Sequence, residues 1–414
     1  MTDPPRRTAT EALARVPYGA HLVSQPGMGA ASTLLAALGS ACDGRGWTLS
    51  SGILLEDYPF LPAVDSGELA YRTWHVTTAV AGHVADGRVG YVSARASAVP
   101  ALLDRWGVDV ALVRVSPPGR DGTCSLGPAT GYAKAAMAAA RTVIAEVDPA
   151  VPRTCGDSLV SQTDFACVVE SAVPIREYRT APDTELSRRV AEHVLTLVPR
   201  NPTMQIGLGA VSESLLRSLP DTDLGRVRLV GMGTDLVVDL FEKGVLDPDD
   251  VAPDVAVCST DLMGTARLLE FAHENPAIGM ASSAVVHNPS FLATLPGFVS
   301  VNTALEVDLA GNVNTEVLRG RQIAGPGGGP DFVEGAARSP GGLSIVALPA
   351  TSRDGAHSRI VARAESVTVP GWMVDAVVTE FGIARLTGLT SRRRAEALIA
   401  VADPAHRDAL AARR

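Results

Sequence analysis

Lysine is nearly missing from this chain: Lys134 and Lys243 are the only two, and arginine supplies the rest of the 36 basic residues. Those residues are scattered and the net charge is −9, whereas a nucleic-acid partner calls for a clustered cationic face. The charge therefore argues against nucleic acid. No apolar stretch reaches the roughly 18–20 uncharged residues of a membrane span. The opening Met1-Thr2-Asp3-Pro4-Pro5-Arg6-Arg7 does not lead into an apolar signal core. A soluble, cytoplasmic protein with no membrane partner is expected. The five cysteines, Cys42, Cys124, Cys155, Cys167 and Cys258, make no Cys-x-x-Cys pair and read as buried free thiols. The eight histidines show neither His-x-x-x-His nor His-Glu-x-x-His spacing, so no metal site is expected.

What is present is apolar and long. Hydrophobic residues make up 46% of 414, more chain than one ordinary core accommodates. The polar stretch 176–185, with Pro182, reads as a linker and gives domains 1–182 and 183–414. Residues 108–115 are β-branched and bounded by Gly107 and Pro117-Pro118, which marks a buried strand. Residues 131–145 are alanine-rich and read as a helix, with Thr142-Val143-Ile144 as a competing strand start. Leu186, Val190, Val194 and Leu197 give 185–198 helical spacing.

The most informative region is 202–246. A strand at 203–208 runs into Gly207-Leu208-Gly209, which opens an apolar helix. A second strand at 227–231 meets another Gly-x-Gly, Gly231-Met232-Gly233, before a helix at 235–243. Glycine at such turns lets backbone approach a ligand, and a helix N-terminus offers N–H groups to an anion. The first half echoes this. Gly27-Met28-Gly29-Ala30-Ala31-Ser32 and Gly207-Leu208-Gly209-Ala210-Val211-Ser212 each precede a leucine-rich helix. The expected fold is α/β, with two related open domains whose mostly parallel sheets are covered on both faces. Ligands then sit beyond the carboxyl ends of the strands.

A dinucleotide fingerprint is the rival reading of Gly207-Leu208-Gly209. Its third glycine would fall at Ser212, and the next strand ends without an acidic residue, so NAD is not expected. The loop Gly325-Pro326-Gly327-Gly328-Gly329-Pro330 either turns irregularly or brings backbone N–H groups to a thioester oxyanion or a phosphate. Residues 302–314 read as a β-hairpin around Gly311-Asn312, and Glu380 with Arg385 as a structural ion pair.

Taken in order, these motifs resemble the acetyl-CoA hydrolase/transferase family, which includes acetate and 4-hydroxybutyrate CoA-transferases. The resemblance runs from about Val108 to Leu410. It includes Ser116-Pro117-Pro118, Gly156-Asp157-Ser158, Val237-Val238-Asp239-Leu240, the stretch at 302–314, the glycine-rich loop, Ser358-Arg359-Ile360 and Thr379-Glu380-Phe381-Gly382. It implies two domains of the NagB/RpiA/CoA-transferase-like type, with the active site between them and mainly on the second. It also implies coenzyme A as part of the substrate, acyl-CoA or an acyl-carrier thioester as donor, a small-molecule acceptor, and a homodimer.

In the family a glutamate attacks the acyl-CoA and passes through a glutamyl-CoA thioester. Anchoring on 237–243 places that glutamate at Gly231. The family's proline-asparagine after Gly-x-Gly is Ser212-Glu213 here, and two lysines that follow its glycine-rich loop are Pro340 and Leu343, with Arg353 as a partial substitute. The resemblance thus assigns thioester and CoA contacts to Gly207, Gly209, Gly325, Gly327, Gly328, Gly329 and Arg353. Glu213 and Asp235 are the candidate catalytic carboxylates, although Asp235 also suits a helix cap. Three functions stay open: hydrolysis or direct acyl transfer without glutamyl-CoA, conventional CoA transfer through a recruited Glu213, and non-catalytic binding of an acyl thioester.

Overall fold

The computed structural model describes residues 3–55, 58–246 and 256–413. Packing divides the chain into two units. Residues 1–179, 233–235 and 257–286 form the first, and 180–232, 236–256 and 287–414 the second.

The first unit is built on eight strands: β1 (Arg6–Arg7), β2 (His21–Ser24), β3 (Trp47–Ser51), β4 (Leu69–Thr73), β5 (Val89–Tyr91), β6 (Val110–Val115), β7 (Thr142–Val147) and β8 (Cys167–Glu170). They lie in the order β1-β8-β7-β6-β2-β3-β4-β5, all parallel. Because side chains alternate along a strand, Leu22, Val110 and Leu112 enter one core with Leu34, Leu35 and Trp47, while Val23, Ala111 and Val113 enter another with Leu103 and Tyr132. Burial on both faces is why 110–113 reads as an unbroken apolar run. Helix α1 (Ser32–Ala41) follows the first Gly-x-Gly turn, and helix α2 (Ala133–Ala139) covers the second face. The helix expected over 131–145 stops at Ala139, because Thr142–Val147 pairs along β6 from Val110↔Thr142 onward. Sheet pairing of β-branched residues overrides alanine's local preference. Two further parallel strands, Val257–Leu262 and Ile278–Met280, also pack in this unit.

The second unit carries β9 (Thr203–Ile206), β10 (Arg228–Gly233), β11 (Val299–Asn302), β12 (Leu343–Ala347), β13 (Ala376–Thr379) and β14 (Gly382–Arg385). Their order is β14-β13-β12-β11-β9-β10, parallel except for the β13–β14 hairpin. Val307, Val346, Val377, Leu386 and Leu398 build its core. Helices α3 (Glu185–Leu195), α4 (Ala210–Ser218), α5 (Leu236–Glu242), α6 (Gly329–Arg338) and α7 (Ser391–Val401) flank the strands.

The runs β8-β7-β6-β2-β3 and β13-β12-β11-β9-β10 have the same topology. In each, a central strand leads through Gly-x-Gly and a helix to the strand on one side, and the chain then crosses to the other side. The echo at 27–32 and 207–212 is therefore architectural. The point where the order reverses, β2/β6 in one unit and β9/β11 in the other, is where open α/β sheets bind ligands.

Three local expectations need correcting. Gly231-Met232-Gly233 is the end of β10, not a turn. Asn302 closes β11, and the short hairpin downstream pairs Glu306–Asp308 with Val313–Asn314. Glu380 accepts a hydrogen bond from the Ala350 amide at 2.8 Å, while Arg385 lies opposite Ala376 in the β13–β14 pairing. Among the described residues, no helix is long and apolar enough to cross a membrane.

Candidate active site

At the switch point of the second unit, β9 and β11 pair with Gln205 opposite Ser300. Asn302, two residues on, shares their face. Ser300 donates to Gln205 Oε1 at 3.0 Å, Asn302 Nδ2 donates to the same oxygen at 3.0 Å and to Ser300 Oγ at 2.8 Å, and Gln205 Nε2 donates to Asn302 Oδ1 at 3.2 Å. A polar group buried in a parallel strand is costly unless so satisfied. This cluster escaped the sequence reading, which took Asn302 for turn chemistry. The available signal was polar residues inside the apolar strands Thr203-Met204-Gln205-Ile206 and Val299-Ser300-Val301-Asn302.

Two of the predicted glycines, Gly207 and Gly329, border this cluster. A Cβ on Gly207 would sit 3.9 Å from Asn302 Oδ1, and one on Gly329 3.8 Å from the same atom. Gly209, at φ +109°, is the N-cap of α4. Gly328 packs so closely on His287 that a Cβ would lie 2.5 Å from its Nε2, and the His287 ring is 4.8 Å from Phe332. Gly325 and Gly327 lead into α6, with Gly327 at φ +58°. The first intrahelical bond of α6 joins the Phe332 N–H to the Gly328 carbonyl, so the N–H groups ahead of it face outward at the positive end of the helix dipole.

Gly231 abuts the same cluster. Its φ is +118°, a conformation that side chains with a Cβ rarely adopt. A Cβ there would lie 3.3 Å from Gln205 Cγ and 3.3 Å from the Phe332 ring.

The candidate carboxylates are placed differently. Glu213 is fully buried in the first turn of α4, and its carboxylate accepts the Ala181 N–H. Asp235 accepts the Thr265 N–H at 2.9 Å, where Thr265 is the N-cap of the helix Ala266–Ala272. Arg353 lies exposed in the turn at 352–357, which Ser352 closes through Asp354 and His357. That turn borders a cavity of about 420 Å³ lined by Arg319, His357, Arg359, His406 and Arg413.

The equivalent position in the first unit is filled by the chain itself. Glu146 accepts the Thr33 and Leu34 N–H groups at 2.9 and 3.2 Å, occupying the N-terminus of α1 as an anion would. Burial pushes its carboxyl up, opposed by the Arg114 charge 3.8 Å away and by hydroxyls of Ser171 and Thr33. Arg114 in turn donates through Nε to Asp148 at 2.8 Å.

The fold agrees with the comparisons. The acetyl-CoA hydrolase/transferase N-terminal domain matches residues 47–175 and the C-terminal domain residues 264–414. The 4-hydroxybutyrate coenzyme A transferase of Clostridium kluyveri is 36% identical over 334 residues, 79% of this chain and 77% of that one. Among solved structures, RipA from Yersinia pestis superposes with a TM-score of 0.91 at 28% identity, covering 99% of this chain and 96% of that one. The 4-hydroxybutyrate CoA-transferase from Porphyromonas gingivalis gives 0.80 at 28% identity over the same shares. The chain belongs to the acetyl-CoA hydrolase/transferase family of enzymes.

Proposed function

We propose that this chain cleaves an acyl-CoA thioester, or an acyl thioester on a carrier arm, by hydrolysis or by passing the acyl group directly to a small acceptor, with no glutamyl-CoA intermediate. The observation that carries the reading is Gly231. The position that the resemblance gives to the nucleophile has no side chain, sits at φ +118°, and has the Phe332 ring and Gln205 where a side chain would begin. The polar cluster and the N-terminus of α6 beside it suit a polarised thioester carbonyl, since fixed N–H dipoles stabilise the charge that develops on its oxygen. The other reading, CoA transfer through Glu213, has less support, because that carboxylate is buried and already holds the Ala181 amide. Arg353, in the exposed turn whose residues Ser352, Ala356 and His357 border a cavity lined by Arg319, Arg359 and Arg413, is proposed to meet CoA phosphate.

Isotope exchange tests the reading. With acetyl-CoA and labelled acetate, a glutamyl-CoA enzyme exchanges label into acetyl-CoA. Here free thiol should accumulate with no label in acetyl-CoA, and exchange matching thiol release would overturn the proposal.

A further inference from the structure

In the second unit, α6 is seated from behind by a segment that no sequence motif marked. Gly328, Phe332 and Gly335 recur at the four- and three-residue spacing of one helix face, and residues 287–292 pack along that face. At one end Leu292, fully buried, closes on Gly335, where a Cβ would overlap the leucine side chain. At the other end His287 closes on Gly328, where a Cβ would lie 2.5 Å from both Cδ2 and Nε2 of the imidazole and 3.0 Å from the Phe332 ring. Gly328 itself has φ −90° and ψ −7°, so its backbone does not call for glycine and its neighbours do. The His287 ring is 7% exposed and its centroid is 4.8 Å from that of Phe332. Phe332 in turn reaches to 3.3 Å from the place of a Cβ on Gly231. The segment is pinned by Asn288, whose side chain accepts the Ser290 N–H at 2.9 Å and caps the short helix Pro289–Leu292.

The Gly328 carbonyl takes the first intrahelical bond of α6, from the Phe332 N–H at 3.1 Å. The residue on which the imidazole presses is therefore the last before the helix, and a shift there redirects the N–H groups at the positive end of the dipole. We propose that His287 is a positioning residue for the thioester step. Its ring, by shape and not by proton transfer, sets the N-terminus of α6 and the Phe332 ring beside Gly231. This rests on the reading that those N–H groups polarise the thioester carbonyl. An interior packed this closely passes a displacement on to its neighbours, and an error of about 1 Å in aim costs a reaction roughly 100-fold. A small side chain at 287 lets Gly328 and Phe332 sag into the vacated space, whereas a Cβ at 328 drives them off the ring. The two faults are opposite in sense, so together they should partly cancel.

The test uses the full-length protein with acetyl-CoA as donor and water as acceptor. His287→Ala and Gly328→Ala should each lower the kcat of thiol release roughly 100-fold, while calorimetry finds acetyl-CoA binding within about threefold of the parent. The double variant should release thiol at least tenfold faster than Gly328→Ala alone, because removing the ring removes the clash. His287→Phe, which keeps a flat ring and loses both titrating nitrogens, should stay within about tenfold of the parent. If alanine at 287 prevents folding, His287→Phe decides alone, and a 100-fold loss there overturns the proposal. Thiol release by His287→Ala within threefold of the parent overturns it, as does a double variant no faster than Gly328→Ala. A phenylalanine variant as slow as the alanine variant overturns it by showing that the imidazole's chemistry matters. A loss explained by weaker acetyl-CoA binding overturns it too. Label exchange from acetate in the parent, by contrast, strikes the direct-transfer reading, and the same comparisons are then made on the exchange rate.

Discussion

Two titratable residues in the first unit are held away from their ordinary protonation range by burial, in opposite directions. Asp261 rises from 3.8 to about 6, and His75, whose Nδ1 has no partner among the described residues, falls from 6.5 to about 4. A folded carboxyl that holds its proton more tightly than the unfolded one makes the fold more stable as pH falls from 6 toward 3.8. A folded imidazole that holds its proton less tightly makes it less stable as pH falls from 6.5 toward 4. Each is worth at most about 3 kcal/mol, and in the parent the two nearly cancel across the same window. Asp261→Asn should therefore be more stable than the parent above pH 6. It should lose that margin, and stability with it, between pH 6.5 and 4. Urea midpoints at half-unit pH intervals check this, and parallel curves for the two proteins would contradict it. Neither group was legible in the sequence, because partnerlessness is a property of the packed neighbourhood. An aspartate following Cys258-Ser259-Thr260 looks like any strand-end polar residue.

At the scale of elements, the central strands were legible and their ends were not. β9 and β6 announce themselves by unbroken burial, and α3 by its apolar spacing with a Thr184 capping box. The end of β10 was misread because Gly-x-Gly usually turns a chain, whereas here the glycine lets the strand continue at φ +118° beside Phe332. That geometry makes Gly231 a requirement of β10 as it now runs. Gly231→Ala should destabilise the protein by about 1–3 kcal/mol through backbone strain and the 3.3 Å contacts its Cβ would make. A lower thermal midpoint measures it, and an unchanged midpoint would show that the strand relaxes freely. Gln205, Ser300 and Asn302 became a site only once register set them side by side, since residues 95 and 97 positions apart are paired by sheet order alone.

At the scale of the whole molecule, one architecture is used twice with different contents. In the first unit the switch-point helix α1 receives Glu146, an anion the chain supplies itself. In the second, the corresponding ground is ringed by glycines and a satisfied amide cluster. The duplication was visible in the sequence as a six-residue echo, because the Gly-x-Gly turn is where backbone geometry constrains residue type most. The difference in contents was not visible, since Glu146 reaches α1 across 113 and 112 positions. Family membership fixes the thioester class of chemistry, and the proposal of a route without glutamyl-CoA rests on Gly231 standing where the resemblance places the nucleophile. The most direct measurement is the intact mass of the protein after acetyl-CoA followed by borohydride, which reduces a carboxyl thioester to an alcohol. The account expects the mass of untreated protein, and a reduced glutamate or aspartate mapped to any position would contradict it.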